Sequence, residues 1–471
     1  MSALPTITRV EMVIQAIRSR ISSRKLMSGS KLPSVRSIAA SLKVSVSTAV
    51  EAYDRLAAAG TITARRGSGF FVTSHAPPFS LAAIGPRLER TVDPLWLSRQ
   101  SLASDDQVLK PGCGWLPESW MPVEGLQRNL RTLARLGGKN LTDYSTPLGY
   151  APLRQMLAQR MGEHGISADP NQILLTESGT QAIDLLCRYL LEPGDAVLVD
   201  DPCYFNFQAM LRAHRAKVIG VPYERTGPNL ELFEHALIHE KPRLYITNSG
   251  LHNPTGATLS APTAYAVLKL AERHKLMVIE DDIFADFEMT PSPRLAAFDA
   301  LNCVIHIGSF SKTLSASLRC GYIAVRPDWI EGLIDLKIAI SFGSSDFSAA
   351  IIDKMLRDGT YRKHLNNLRS KLAEAMGHTT NRLSALDIKP WLQPKGGLFL
   401  WCILPDNLNS SQIAEAALTE DVVLAPGNAF STAQTASKFM RFNVAQSLNS
   451  RIYSVLERTM KETHSNTLAR S

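Results

Sequence analysis

Lys312 follows an apolar run at 304–309 in the sequence Ser309, Phe310, Ser311, Lys312, and Arg319 comes seven residues later. Most lysines are solvated surface groups. One placed at the end of a buried strand lies near the crevice where α/β sheets bind ligands, and there it can serve as a nucleophilic amine. Asp281 ends another apolar run, where a buried carboxylate is costly unless a cation or a proton meets it. Gly179, Thr180 and Gln181 follow a third run and open a helix, offering N–H groups and a positive helix end to a phosphate. Tyr204 brings a ring to a fourth strand end, either to stack on a flat heterocycle or to fill core. Asn253, in the turn made with Pro254, Thr255 and Gly256, can hydrogen-bond a ligand oxygen, and its neighbour His252 reads as a bystander.

A phosphate cup, a ring, a carboxylate and an amine in this order along the chain fit one cofactor, pyridoxal 5′-phosphate. Lys312 would form the Schiff base, and Asp281 would keep the pyridine nitrogen protonated so that the ring acts as an electron sink. Gly179, Thr180, Ser309 and Arg319 would hold the phosphate, Arg319 in charge-assisted form.

The elements that must position these groups are strand-sized apolar runs alternating with helix-length segments: 172–177, 196–200, 217–221, 243–248, 277–281, 304–309 and 322–325. This pattern predicts a mostly parallel α/β sheet of about seven strands, with a smaller C-terminal subdomain from about residue 341. The six cysteines show no CxxC spacing, so neither a disulfide framework nor a metal site is expected. No apolar run approaches a membrane span and no signal-like segment opens the chain, which predicts a cytoplasmic protein.

Charge is distributed unevenly. Residues 1–74 hold 11 of the 51 basic residues but only three acidic ones, Glu11, Glu51 and Asp54, whereas the remainder is neutral. A basic module on a neutral body points to a polyanion reader. Val10, Val13, Ile14, Ile17 and Ile21 lie on one face of a helix, and Ser34 can cap a second whose inner face is Val35, Ile38, Ala39 and Leu42. Ser45 caps a third, expected to bury Ala49, Val50, Tyr53 and Leu56 and to expose Ser45, Val46, Ser47 and Thr48 at its N-terminal end. Two short strands, 61–64 and 70–73, flank Arg65, Arg66, Gly67, Ser68 and Gly69, a basic hairpin able to lie along DNA. Pro77, Pro78, Gly85 and Pro86 mark a linker over 75–109, with a short helix near 95–102.

Residues 10–73 resemble the winged helix-turn-helix of GntR-type bacterial regulators, in the run from Lys31 to Val72. The resemblance implies that Arg36, Ser45, Ser47, Thr48, Arg65, Arg66 and Gly67 contact DNA. The family usually has arginine where this chain has Val46, which can touch a thymine methyl but cannot bind guanine bidentately. Residues from about 110 to 460 resemble the fold type I aminotransferases, in the 144–149 run, the Asn253 to Gly256 turn and the Gly396, Gly397 pair. That resemblance implies that Tyr144 reaches the cofactor phosphate of a partner subunit and that Arg441 pairs with a substrate or effector carboxylate. The tyrosine the family places shortly after the ring-nitrogen aspartate is missing, since Ile283 and Phe284 stand there.

A GntR-type reader (1–74) joined through a linker to an aminotransferase-like domain (110–471) resembles the MocR subfamily of bacterial regulators. The implied function is that of a dimeric, DNA-binding regulator, nucleoid-associated when bound to its operator, that senses pyridoxal 5′-phosphate or an amino compound. The alternative is an aminotransferase with an appended DNA-binding domain. A bare dimerisation scaffold fits less well, because Lys312 is kept.

Overall fold

The structure, a computed structural model, describes residues 8–22, 26, 29–65, 67–73, 94–103, 107–136 and 142–468. It divides into two compact units, one formed by small helices and a hairpin, the other by two sheets and the helices around them.

In the first unit α1 (Arg9–Ser22), α2 (Val35–Leu42) and α3 (Val46–Ala58) lead into the antiparallel hairpin β1 (Ile62–Arg65) and β2 (Gly69–Val72). The caps follow the expected residues: Ser34 accepts from Ser37 N at 3.1 Å and Ser45 from Thr48 N at 3.1 Å. Lys43 ends α2 at φ 53°, in the left-handed turn between the second and third helices. Val13, Ile14 and Ile17 meet Ile38, Ala39, Ala49, Ala52, Tyr53 and Leu56 in one core that Ile62 and Val72 close. Tyr53 also donates to the Pro33 carbonyl at 2.7 Å, tying the third helix to the start of the second.

One expectation is corrected: Val50 is exposed, not buried. The buried stripe of α3 is Ala49, Ala52, Tyr53 and Leu56, at helical spacing, and position 50 is rotated ~100° off its first member. Arg66 and most of the expected linker, 74–93, lie outside the described residues. The short helix expected near 95–102 is α4 (Pro94–Ala103).

The larger sheet has the order β3 (Ile173–Thr176), β10 (Gly321–Ala324), β9 (Val304–Ser309), β8 (Met277–Asp281), β7 (Leu244–Thr247), β4 (Ala196–Asp201), β5 (Lys217–Glu224), β6 (Gly227–Pro228). Strands β5, β4, β7, β8 and β9 run parallel, and β10 is antiparallel to both β9 and β3. All seven expected strands are present. The eighth, β6, is a two-residue hairpin partner of β5, too short to leave a periodic signal.

Alternate residues of each strand feed opposite faces, as the period of two requires. Leu175, Leu198, Tyr245, Val278 and Val304 join one core, packed with α6 (Ala151–Glu163), α9 (Leu230–Glu240), α10 (Ala261–His274), α11 (Leu295–Asp299) and α13 (Asp346–Arg357). The helix α5 (Val123–Leu136) lies against this same core through Leu126 and Leu133. Leu174, Val197, Val199, Leu244, Ile246, Ile279, Ile305 and Ile307 join the other, with α7 (Gly179–Leu190), α8 (Phe205–Ala213) and α12 (Ile330–Ser341).

The long helix α14 (Thr360–Ser384) runs from one core into a third: Tyr361 and Leu365 pack with the first, Leu368, Leu372 and Leu383 with the third. That third core lies under a four-stranded antiparallel sheet, β11 (Lys389–Pro390), β12 (Phe399–Ile403), β14 (Phe439–Asn443) and β13 (Ala425–Pro426), and under α15 (Ser410–Thr419) and α16 (Ser450–Leu468). Among the described residues no helix is long and apolar enough to cross a membrane.

Candidate cofactor site and nucleic-acid interface

Three consecutive acids stand at the end of β8, and the structure gives each a different task. Glu280 is fully buried, accepts from Leu295 N at 2.7 Å and Ala296 N at 2.9 Å, and is also bonded by the Ser249 hydroxyl, so it caps α11. Asp282 pairs with buried Arg294 at 2.7 Å, and Arg294 also binds Glu288 at 2.6 Å. Asp281 has no such partner. Its carboxylate, in a residue 4% exposed, accepts from Ile283 N at 3.4 Å and is also bonded by the Asn248 side chain, and burial pushes it up to about 7. Asn248 fixes the backbone here by donating to the Asp281 carbonyl at 2.8 Å. Of the three acids, Asp281 is the one left to meet a ligand cation.

Lys312 lies in the turn after β9, half-buried, and desolvation lowers its ammonium to about 8. Its electrostatic neighbours are Cys113, Arg441 and Asp281, which puts the amine and the carboxylate on one space. Tyr204 borders it too: burial raises its phenol, while Arg441 acts to lower it and Asp281 to raise it. The ring packs on Phe205 and Phe207, with centroids at 4.9 and 5.4 Å.

Gly179 opens α7 behind its N-cap, Ser178, whose hydroxyl accepts from Gln181 N at 3.1 Å. A Cβ at Gly321 would stand 2.7 Å from the Ser178 carbonyl carbon and 2.9 Å from Gly179 N, so only glycine lets β10 press against this helix end. Ser309 borders the same corner, 3.8 Å through its Cβ from the position a Gly179 Cβ would take. Its hydroxyl lies 3.2 Å from the Cys320 carbonyl and 3.1 Å from the Ser311 hydroxyl. Thr180 and Arg319 are exposed beside it, and Arg319 holds a left-handed φ of 48°. The Gln181 side chain turns back on the chain instead, accepting from Glu177 N at 2.6 Å.

Arg441 is 1% exposed and sits between the Phe399 and Phe430 rings, at 4.2 and 4.6 Å from their centroids. Its Nη1 donates to Asn253 Oδ1 at 2.8 Å and its Nη2 to the Gly112 carbonyl at 2.7 Å, whereas Nε has no partner. No carboxylate answers this buried charge among the described residues, and desolvation lowers it to about 10. Phe284 packs on Phe399 at 5.5 Å and Phe287 at 6.2 Å, so a ring occupies the place of the missing tyrosine without its hydroxyl. Tyr144 lies apart from this cluster, 83% exposed and packed on the exposed Phe342 at 5.5 Å.

The residues fit pyridoxal 5′-phosphate: an amine held partly neutral, a carboxyl without a cation, a glycine-lined helix end and a guanidinium with an orphaned N–H. Among the described residues no His, Cys, Asp and Glu group is placed to hold a metal ion.

Residues 117–458 match the family described as aminotransferase class I and II, and residues 9–72 match bacterial regulatory proteins of the gntR family. The chain belongs to the aminotransferase class I and II family and has the MocR architecture. It is thus a GntR-family DNA-binding transcriptional regulator with an aminotransferase-like domain.

This MocR-type chain is 28% identical to the HTH-type transcriptional regulator NorG of Staphylococcus aureus, over 84% of its own length and 91% of the relative's. It is 29% identical to the uncharacterized HTH-type transcriptional regulator YdcR of Escherichia coli, over 93% and 95%. Among solved structures it is similar to LysN, the α-aminoadipate aminotransferase of Thermus thermophilus, there complexed with N-(5′-phosphopyridoxyl)-L-leucine. The TM-score is 0.72 at 25% identity, covering 78% of this chain and 95% of that one. A kynurenine aminotransferase of Pyrococcus horikoshii gives 0.72 at 26%, over 82% and 97%.

Of the described residues expected at DNA, Ser45, Ser47 and Thr48 lie at one end of α3, Arg65 and Gly67 in the hairpin and Arg36 at the start of α2. Ser45 and Ser47 are exposed, with hydroxyls 2.9 Å apart, and Thr48 is half-buried with its hydroxyl 2.7 Å from that of Ser45. Arg36 is exposed at the start of α2. Arg65 lies over the Phe71 ring at 4.5 Å, and Gly67 turns the hairpin at φ 75°.

Sequence reasoning missed the segment from Gly112 to Gly114. Its backbone carbonyl holds Arg441, and a Cβ on Gly114 would lie 3.8 Å from Lys312 Nζ. A Cβ on Gly112 would strike the backbone of Leu424 and Ala425 at 2.5 and 2.6 Å. The signal was present as two glycines around a cysteine, but it falls in a loop with no periodicity to give it weight.

Proposed function

We propose that this regulator binds pyridoxal 5′-phosphate through Lys312 and responds to an amino compound carrying a carboxylate. The observation that carries this reading is the buried Arg441 guanidinium, with an unpartnered Nε and no acid beside it, facing the same space as Lys312 and Asp281. A buried cation of this kind is stabilised by an incoming anion that makes charge-assisted hydrogen bonds.

When bound, the cofactor supplies an aldehyde that condenses with primary amines and a ring that accepts electrons. Lys312, with its ammonium lowered to about 8, offers a neutral amine near neutral pH more readily than a solvated lysine does. Asp281, which has no salt bridge of the kind Asp282 makes with Arg294, would pair with a protonated ring nitrogen. Gly179 N–H, the Thr180 and Ser309 hydroxyls and Arg319 receive the phosphate. Asn253 and the Gly112 carbonyl hold Arg441 between two rings and leave its Nε–H without a partner, the donor that would answer a carboxylate. The exposed Tyr144 and Phe342 pair supports a homodimer in which a second copy covers both rings. The reader, through Arg36, Ser45, Ser47, Thr48, Arg65, Arg66 and Gly67, binds duplex DNA.

The test is an absorbance titration of the purified full chain with amino acids, followed by duplex binding with and without the amino acid that shifts the band. The expected result is a visible band, shifted by an amino acid without keto-acid release, and a changed operator affinity. An unchanged affinity overturns the sensing. The second reading, an aminotransferase carrying a reader, is favoured by the retention of both Lys312 and Asp281, and sustained keto-acid production would establish it.

A further inference from the structure

The outer face of α3 presents an apolar stripe. Val46 and Val50 are 49% and 42% exposed and stand one turn apart, and only Met12 joins them among the exposed large apolar side chains of α1–α3 and the hairpin. No Lys or Arg precedes Arg55 in this helix, and Arg55 is held by Glu51 at 2.6 Å. The Ser45 hydroxyl is committed to capping Thr48 N at 3.1 Å. Arg55 is the one exposed cation on α3 itself, and Lys31, Arg36, Lys43 and Arg65 are among the exposed cations on the elements that flank it in the chain.

This division of labour restricts what the helix can recognise. Reading guanine in the major groove takes paired donors on O6 and N7, which Arg or Lys supplies and valine cannot. The thymine C5-methyl is the base-edge group that gains from apolar contact. Valines four residues apart, ~6 Å along the axis, can meet methyls on neighbouring base pairs, which rise ~3.4 Å each. The flanking cations meet phosphate and hold the helix in register without adding sequence information.

We propose that α3 reads a duplex half-site through the methyl groups of adjacent thymines, Val46 and Val50 each covering one, with no bidentate guanine contact from the first two turns. The proposal rests on the DNA-reading assignment above and specifies its base chemistry.

The experiment selects bound duplexes from a random-sequence pool with the full chain, then replaces each thymine of the selected site by uracil, which lacks only that methyl. Two positions per half-site are expected to lose about fourfold in affinity each, the worth of one buried carbon. Val50→Ala should abolish the uracil effect at one position, and Val46→Ala at the other. Salt-dependent binding to random duplex should persist in both variants, which shows that the reader remains folded. A guanine-led consensus, or uracil tolerated at every position while duplex binding persists, overturns the proposal. Absence of any salt-dependent duplex binding overturns the reader assignment itself.

Discussion

The reader keeps its cations in water, and the aminotransferase-like body withdraws from water the two that face its candidate site. Arg36 and Arg65 are exposed at the ends of α2 and β1, where solvent screens them and a polyanion can displace counterions. Arg441 is enclosed by two rings, Lys312 is half-buried, and desolvation lowers both. Exposed charges give affinity that is long-ranged and tolerant of geometry. Buried ones give affinity only to a partner of the right charge in the right place, because any other occupant leaves the desolvation uncompensated. The first arrangement suits a long regular polymer, the second a small molecule.

The strongest way to break this contrast is Lys312→Ala, which should abolish the visible band altogether while leaving binding to random duplex as it was. Parallel loss of duplex binding would mean that the two units do not work separately. Arg441→Lys keeps the charge but loses the fork that Asn253 and Gly112 hold. It should weaken the response to carboxylate-bearing amines by about a hundredfold, roughly 2–3 kcal/mol, and spare simple amines, as read from titration of the band.

Asp281→Asn sharpens the comparison through pH. Burial raises this carboxyl to about 7 from 3.8, so as pH rises the unfolded chain gives up its proton first. Its contribution to the stability of the cofactor-free protein therefore falls progressively between those values and stays low above them. Thermal unfolding should find the Asn variant more stable than the parent at about pH 8, with the gap closing toward about pH 4. A gap that does not vary with pH would place the Asp281 effect outside ionisation.

In the reader, Arg36→Ala should weaken every duplex alike and lower the salt slope by about one. An effect confined to one sequence would make Arg36 a base reader. Ser45→Ala should cost about 1 kcal/mol of reader stability by freeing Thr48 N–H, measured by denaturant unfolding.

The two regions also differ in how much of each was legible. The reader's helices, caps and hairpin come from contiguous residues, and Ser34, Ser45 and the helical spacing of the apolar residues identified them directly. The one error, Val50, arose because a helix of apolar and small residues leaves the edge of its buried stripe undefined. In the body, the seven strands were visible as apolar runs, and the residues at their ends were visible as types. Asp281 was singled out from Glu280 and Asp282 by its place at the end of an apolar run. The structure separates them, since Glu280 caps a helix and Asp282 binds Arg294. Gln181 was expected to offer its N–H to a phosphate, and in the structure that N–H donates to the Ser178 hydroxyl while the side chain accepts from Glu177 N.

By itself, then, the sequence determined what depends on near neighbours: the periodicity of helices and strands, the caps, the excess charge of the first 74 residues and the residue types at strand ends. Tertiary structure decided what depends on distant ones. The Gly112 carbonyl, Asn253 and Arg441 come from three parts of the chain and form one group only when two sheets bring them together. Burial is a property of that packing. It, and not residue type, leaves Asp281 without a cation and Arg441 without an anion.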